Sequence, residues 1–485
     1  MLRSTGAIAS TSSKRLSTTL AQLPSKRLPA ILSPISSKLA GVRGFSSSQS
    51  WEKQRLVILG SGWGGYEVLR KVDKTRYDVT VVSPSSHFAF TPLLAGCAVG
   101  TIEYDCAIEP VRAYNNITYY QAWCDQVDVK RNRLTCMPAI GNDAASTNNL
   151  PGSDKSFELG FDKLVISVGA YSQTFNTPGV KEYATFLKET KDARKIRARI
   201  LECFELAAQP TLTDVERRNL LNFVIVGGGP TGVEFAGELS DFITTDLERA
   251  FPKLAPLARI TIYDVAPGIL GSFDKSLQEY AEKKFDREGI SVKGNHHVKE
   301  VKEDHLIIEE EGKVPFGLLV WSTGLAPNPL IDSIKDLEHD EKTHSLRVNN
   351  SFNPVGTDGK VRDNIFVIGD ASSLEAKLPA TAQVASQEAY HLAKHLNKLA
   401  KGQKIDPEAG FTFNNKGTMA YLGGWSAVMD RSKADYGPKG EIQGKAAWLL
   451  WRSAYWSQAM SLRNKMLLAF YWMMTWLSGR RITRV

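Results

Sequence analysis

Two glycine-rich turns, 167 residues apart, constrain this chain more than any other feature. The first, Gly60-Ser-Gly62-Trp-Gly64-Gly65, follows the β-forming run Leu56-Val-Ile-Leu59. The second, Gly227-Gly-Gly229-Pro-Thr-Gly232, follows Phe223-Val-Ile-Val226. In such a turn the first glycine lets the chain bend sharply out of the strand. The second lets backbone N–H groups approach a pyrophosphate, and the third lets helix and strand pack closely. The helix N-terminus then faces the phosphates with the positive end of its dipole. One such turn is common by chance. Two, each between a strand and a helical pattern, point to two dinucleotide sites and to an enzyme that moves electrons between nucleotide cofactors. The fold class is α/β, with two Rossmann-type dinucleotide-binding domains.

The residue closing each unit differs. Val79-Thr-Val-Val82 ends at Ser83, where an acid that grips a ribose is usual. Arg259-Ile-Thr-Ile-Tyr263 ends at Asp264, whose carboxylate accepts bonds from ribose hydroxyls and repels a 2′-phosphate. The second site therefore suits NADH over NADPH. Leu164-Val-Ile-Ser-Val-Gly169 and Val320-Trp-Ser-Thr-Gly324 are further strand-to-glycine junctions. A helical stretch is expected at 185–208 and a long helix at 232–250.

The formal charge of +8 is carried by the ends. Residues 1–51 and 442–485 hold seven Lys and Arg each and no acid, which leaves the body at −6. A DNA-binding face does not fit an acidic body, so no nucleic-acid partner is expected. The N-terminal end, rich in Ser, Thr, Ala, Leu and Arg, reads as a mitochondrial transit peptide over 1–50, with a cleavage-like Arg43-Gly-Phe-Ser46. Of five cysteines, none forms Cys-x-x-Cys, so idle thiols in a reducing compartment are expected. No metal ligands are assigned, and no Asp-x-Asp-x-Asp-Gly calcium loop occurs.

Two late segments carry chemistry. Asn364-Ile-Phe-Val-Ile-Gly369-Asp370 reads as a buried strand whose acid can accept bonds from flavin ribityl hydroxyls. Gln383 and Gln387, four apart, share one helix face, and two neutral amides suit a redox carbonyl. In the tail, read as a helix, Trp448, Trp451, Tyr455, Ala459 and Leu462 gather on one side, opposite Ser453, Ser457 and Ser461, and Arg463-Asn-Lys465 interrupts the region. Met466–Leu477 is twelve residues with only Thr475 polar, short of the ~20 that a span needs. Trp and Tyr beside Arg and Lys favour a helix lying in the lipid interface, with dimerisation or core packing as the competing role.

With Phe90-Thr-Pro-Leu-Leu94, Trp321-Ser-Thr-Gly324, Gly369-Asp370, Ala382-Gln-Val-Ala-Ser-Gln-Glu-Ala389 and Ala420-Tyr-Leu-Gly423, the chain resembles the type II NADH:quinone oxidoreductases, the fungal mitochondrial alternative NADH dehydrogenases above all. The resemblance implies a glutathione-reductase-like flavoprotein with non-covalent FAD on 51–176 and 343–408. NADH would bind on 177–342, and 409–485 would anchor to the membrane and form a homodimer. It places Gly60, Gly62, Gly64, Gly65, Gly169, Gly369 and Asp370 on FAD, with Thr91 and Pro92 by the isoalloxazine and Ser83 at the ribose. Gly227, Gly229, Gly232 and Asp264 would hold NADH, with catalytic Glu234 and Gly324 near the nicotinamide. Gln383 and Gln387 would sit between flavin and quinone, with Tyr421 shaping the quinone channel. The implied activity is rotenone-insensitive, non-proton-pumping oxidation of NADH by ubiquinone, peripheral on the inner membrane, with the matrix face favoured. A sulfide:quinone oxidoreductase needs a reactive cysteine late in the chain, and none follows Cys203. A partner-binding flavoprotein similar to apoptosis-inducing factor is the reading from a different class.

Overall fold

The computed structural model describes residues 53–140, 152, 154–403 and 410–483. The expected transit peptide and most of the loop at 141–152 lie outside the described residues. The chain begins with β1 (Gln54–Leu59), α1 (Trp63–Lys71) and β2 (Tyr77–Ser83), then α2 (Leu94–Val99). A long β3 (Ile117–Asp128), β4 (Arg133–Pro138), β5 (Phe157–Gly160) and β6 (Lys163–Ile166) follow. The inserted unit contributes β7 (Thr185–Phe186), α3 (Thr190–Ala207), β8 (Asn222–Val226), α4 (Pro230–Phe242), β9 (Arg259–Tyr263), α5 (Lys275–Arg287), β10 (Ile290–Lys293) and β11 (Leu318–Trp321). The chain then returns with β12 (Ile365–Val367) and α6 (Ala382–Leu399).

Two sheets result. The first has the order β12-β6-β1-β2-β3-β4-β5, parallel from β12 to β3 and antiparallel beyond. The second, β7-β11-β8-β9-β10, is wholly parallel. Central strands covered on both faces read as unbroken apolar runs, as Leu56–Leu59 and Phe223–Val226 do, and all eight residues are buried. Tyr171–Ser172 pairs antiparallel with Leu325–Ala326 where the chain passes into and out of the inserted unit.

Three sequence expectations are corrected. Thr185 and Phe186 form an edge strand, and the helix starts at Thr190, set by a capping box between Glu189 and Asp192. The helix expected over 232–250 starts at Pro230, widens into a π turn at Ile243–Leu247 and closes as α-helix at Glu248–Ala250. In the π turn the Thr244 and Thr245 hydroxyls donate to the Ser240 and Asp241 carbonyls at 2.9 and 2.5 Å, and side chains that bond back along a helix open its ladder.

The third correction concerns the tail. After an antiparallel sheet of β13 (Thr418–Tyr421), β14 (Ala427–Asp430) and β15 (Glu441–Gly444) come two helices, α7 (Lys445–Gln458) and α8 (Leu462–Ser478). Ala459 is extended at ψ 132°, and Ser461 caps α8 by accepting from the Asn464 N–H at 3.1 Å. Ser461 is thus a helix start and not part of a polar face. Ala447, Trp451, Asn464 and Leu468 are buried, while Leu462, Met466, Phe470 and Trp476 are exposed. The core-packing reading therefore holds for one face of the tail, and the other face is exposed.

Two dinucleotide cradles and a carboxylate beneath the C-terminal helices

The two glycine turns are built alike. Gly60 and Gly227 have φ +98° and +114°, and a Cβ on them would lie 2.4 and 2.6 Å from the carbonyl oxygens of Ser167 and Ser322. A Cβ on Gly65 would meet the Gly60 oxygen at 2.0 Å, and one on Gly232 the Gly227 oxygen at 2.1 Å. The middle glycines, Gly62 and Gly229, face open space and serve as N-caps of α1 and α4 with no side chain over the helix end. Free N–H groups at an open helix N-terminus fit a pyrophosphate, so both cradles fit the dinucleotides they are expected to hold. Ser167 and Ser322 carry no signal in the sequence of their own. Each stands two residues before the junction glycine, Gly169 or Gly324, and above each of those glycines the space is open. Gly64 packs close to Ile368.

The strand ends part company. Asp264 accepts from the Gly228 N–H at 2.5 Å and the Ala266 N–H at 2.7 Å. Each carboxylate oxygen keeps a lone pair for a ribose hydroxyl. Ser83 is buried and shares a 2.9 Å hydrogen bond with Ser61, the residue that matches Gly228. A hydroxyl pair thus replaces the acid-to-backbone bond of the second unit.

Gly369 turns at φ +69° and donates its N–H to Glu388 at 2.6 Å. Burial pushes the Glu388 carboxyl up to about 7 and raises Asp370, which the nearby Lys188 ammonium partly offsets. Glu388 and Lys188 were not singled out by sequence, although Glu388 stands one residue after Gln387. Thr91 accepts from the Trp63 indole at 3.1 Å.

Gln383 and Gln387 do share a face of α6, but their amides are engaged. The Gln383 oxygen accepts from Lys416 N at 2.7 Å, and its nitrogen donates to the Gly417 carbonyl at 3.3 Å. Gln387 bonds both ways to the Asn414 backbone at 2.9 and 3.0 Å. Each amide nitrogen keeps one further N–H. The two glutamines pin 414–417, the segment leading into β13, and neither lines the cavities around Tyr421.

Glu234, on α4, is enclosed by the tail. Its Oε1 accepts from Tyr421 N at 3.1 Å and from the Trp451 indole N–H at 3.0 Å. It borders a small cleft with Pro92, Leu93, Tyr421 and Trp451. Burial pushes its carboxyl up to about 8, opposed by those two donors and assisted by the Glu238 charge one turn away. Both bonds fall on Oε1, which leaves Oε2 for the proton.

A carboxyl raised from 4.5 to about 8 holds a proton in the folded chain that the unfolded chain releases. Stability therefore falls as pH rises between those values and is level above. Glu234→Gln keeps an Oε1 acceptor and carries no charge. Its melting temperature is expected to match the parent near pH 5 and exceed it near pH 8.5. The gain there is a few kcal/mol, at about 1.4 kcal/mol for each tenfold difference in proton affinity between the folded and unfolded chains. Thermal melts at the two pH values check this, and a constant difference would refute it.

Beside Glu234, α4 presents Glu238 and Asp241 along one face. The Tyr421 hydroxyl donates to Asp241 at 2.6 Å, and the Thr101 hydroxyl to Glu238 at 2.5 Å. Arg480, just past α8, reaches Glu238 at 3.5 Å and Asp246 of the π turn at 2.8 Å. A cavity of about 980 Å³ opens here, lined among others by Tyr421, Trp448, Arg452, Trp472 and Trp476. Arg452 lies between the Trp448 and Trp472 rings at 4.7 and 4.6 Å. Two of the tail cations are therefore turned inward. Among the described residues, His297, Glu309 and Glu310 bring ligand-type atoms together at the surface, but Glu309 pairs with Lys299 at 2.6 Å and Glu310 with His297 at 2.7 Å.

Comparison with known proteins agrees with this construction. Residues 54–389 match the pyridine nucleotide-disulphide oxidoreductase family, and residues 415–481 match the NDH2 C-terminal domain. A probable NADH dehydrogenase of Dictyostelium discoideum is 40% identical over 438 residues, covering 89% of this chain and 91% of the relative. The mitochondrial external NADH-ubiquinone oxidoreductase 2 of Saccharomyces cerevisiae is 36% identical, covering 88% and 82%. The solved structure of NDH2 from Plasmodium falciparum in complex with NADH superposes with TM-score 0.80 at 25% identity, over 89% of this chain and all of that one. Two matched cradles, a carboxylate under a tail of the NDH2 type and these relatives have one reading: the chain belongs to the pyridine nucleotide-disulphide oxidoreductases and, within them, to the type II NADH:quinone oxidoreductases.

Proposed function

We propose that this protein oxidises NADH and reduces ubiquinone in the mitochondrial respiratory chain, insensitive to rotenone and without proton pumping. The observation that carries the reading is the pair of like-built cradles with unlike strand ends, joined to a C-terminal domain of the NDH2 type. FAD, when bound, supplies the two-electron chemistry between the two substrates. The first cradle, with Gly60, Gly62, Gly64, Gly65, Gly169, Gly369 and Asp370, would hold FAD, on a domain formed by 51–176 and 343–408. Thr91 and Pro92 would lie by its ring system. The second, with Gly227, Gly229, Gly232 and Asp264, would hold NADH on 177–342, with Gly324 and Glu234 toward the nicotinamide. Ser83 is committed to Ser61, so FAD is retained by its other contacts. Gln383 and Gln387 keep one N–H each for a quinone oxygen while they fix the approach to β13, and Tyr421 forms the wall of the quinone path. The protein's work is orientation and exclusion of water.

Stopped-flow spectra test donor and acceptor together. NADH is expected to bleach the flavin absorbance within the turnover time, and a ubiquinone analogue to restore it as fast. Slow reoxidation with a persistent charge-transfer band would favour the partner-binding reading instead.

Among the described residues, no helix is long and apolar enough to cross a membrane. Exposed Leu449, Trp456, Leu462, Met466, Phe470 and Trp476 support a peripheral seat on the inner-membrane surface, and a homodimer would double it. The tail also closes over Glu234, so deleting it would damage the interior. Met466→Gln with Phe470→Gln is the cleaner test. The variant is expected to leave the membrane pellet, while its turnover with a water-soluble quinone stays within about two-fold, since exposed substitutions shift stability little. The matrix face is the finer proposal, and protease protection in intact mitochondria decides it.

A further inference from the structure

We propose that Cys124 and Cys136 form a reversible disulfide when the protein meets a hydroperoxide, closing the hairpin of β3 and β4. The two residues are register partners on adjacent antiparallel strands. Partners of this kind have Cα atoms about 4.5–5.5 Å apart, within the roughly 4.4–6.8 Å that a disulfide spans. The ladder shifts register just beyond, between Cys124 and Gln126, where the Cys124 thiol reaches the Gln126 carbonyl at 3.5 Å. A bulge is where a strand yields most readily to a new bond.

Access separates this pair from the other cysteines. Cys97, Cys106 and Cys203 are buried, whereas Cys124 is half-exposed beside a buried Cys136. The Cys124 sulfur attacks an oxygen of the hydroperoxide. The O–O bond breaks, an alcohol (or water) leaves with the thiol proton, and Cys124 becomes a sulfenic acid. The Cys136 sulfur then displaces the hydroxyl, the S–S bond forms, and water leaves with the second proton. Two thiols lose two electrons and two protons, and the peroxide oxygen pair gains them. A dithiol reverses the step by exchange. The location gives the bond a consequence. Gln121, three residues before Cys124, pairs with Ser83 and donates to the Pro84 carbonyl at 3.2 Å. The disulfide would therefore clamp the strand that borders the Ser61–Ser83 end of the first cradle.

The test uses the full chain with its flavin, reduced, desalted and exposed to excess hydrogen peroxide. Free thiols counted after denaturation are expected to fall from five to three. Non-reducing peptide mass spectrometry should show Cys124 joined to Cys136, with dithiothreitol restoring both. Cys124→Ser, at a half-exposed position, should fold and lose the link. Retention of all five thiols, over-oxidation of Cys124 with Cys136 still free, or a link to another cysteine or another chain would each overturn the proposal.

Discussion

Arg480→Ala is expected to destabilise the protein by about 3–5 kcal/mol, the usual cost of stripping the partner from buried charges. Its side chain is 8% exposed, as is that of Glu238, and Asp246 is 5% exposed. The guanidinium spans both carboxylates and the Thr101 hydroxyl, its own backbone N–H bonds Asp246 at 2.9 Å, and Arg197 holds the Arg481 carbonyl. Without Arg480, two acids of α4 and its π turn stay buried without the guanidinium that bonds them both, and only the more distant Arg452 charge still acts on Glu238. The Glu238 carboxyl, already raised by burial, then rises further, so the loss grows as pH climbs above the ordinary carboxylate range and shrinks near pH 5. The melting temperature should drop by roughly 6 °C or more near pH 8, and trypsin should cut within the tail. Arg480→Lys keeps the charge but not the fork, and should fall between. A melt within a degree or two of the parent would show that the tail is held elsewhere.

Gly65→Ala and Gly232→Ala should separate the two cradles. Each places a Cβ about 2 Å from a carbonyl oxygen and 2.7 Å from a serine hydroxyl, and neither backbone can yield without opening its turn. Gly65→Ala is expected to purify with little flavin. Gly232→Ala should keep its flavin and its spectrum, yet lose on the order of 100-fold in NADH oxidation, the scale of a misplacement of about 1 Å. Flavin content by absorbance and steady-state kinetics with NADH check both. If Gly232→Ala lost flavin and Gly65→Ala kept it, the assignment of the cradles would be reversed.

The cradles are legible in the amino-acid sequence because they are local. A strand, a glycine turn and a helix are contiguous in the chain, and the close approaches at Gly65 and Gly232 run to the oxygens of Gly60 and Gly227, a few residues back. The acid at Asp264 and its replacement at Ser83 are likewise legible, since each stands at the end of a recognisable strand. The tail misleads in a specific way. Helical periodicity carries through Ala459, and the start signal at Ser461 looks like one face of a single helix. The π turn at Ile243–Leu247 is equally hidden, since its threonines read as ordinary helix residues.

What the sequence determined by itself was the pair of cradles, their order and the difference between their strand ends. Only the tertiary structure decided what encloses Glu234. The Trp451 indole lies 217 residues from it in the chain, and Arg480 lies 242 residues from Glu238. It also turned Gln383 and Gln387 to the 414–417 backbone and set Cys124 opposite Cys136. A periodicity tells which side of a helix is apolar, but a buried charge or amide takes its partner from whatever the packing brings near. Those partners are settled by desolvation in the folded interior, where a polar group must be matched or neutralised, and no local pattern encodes them.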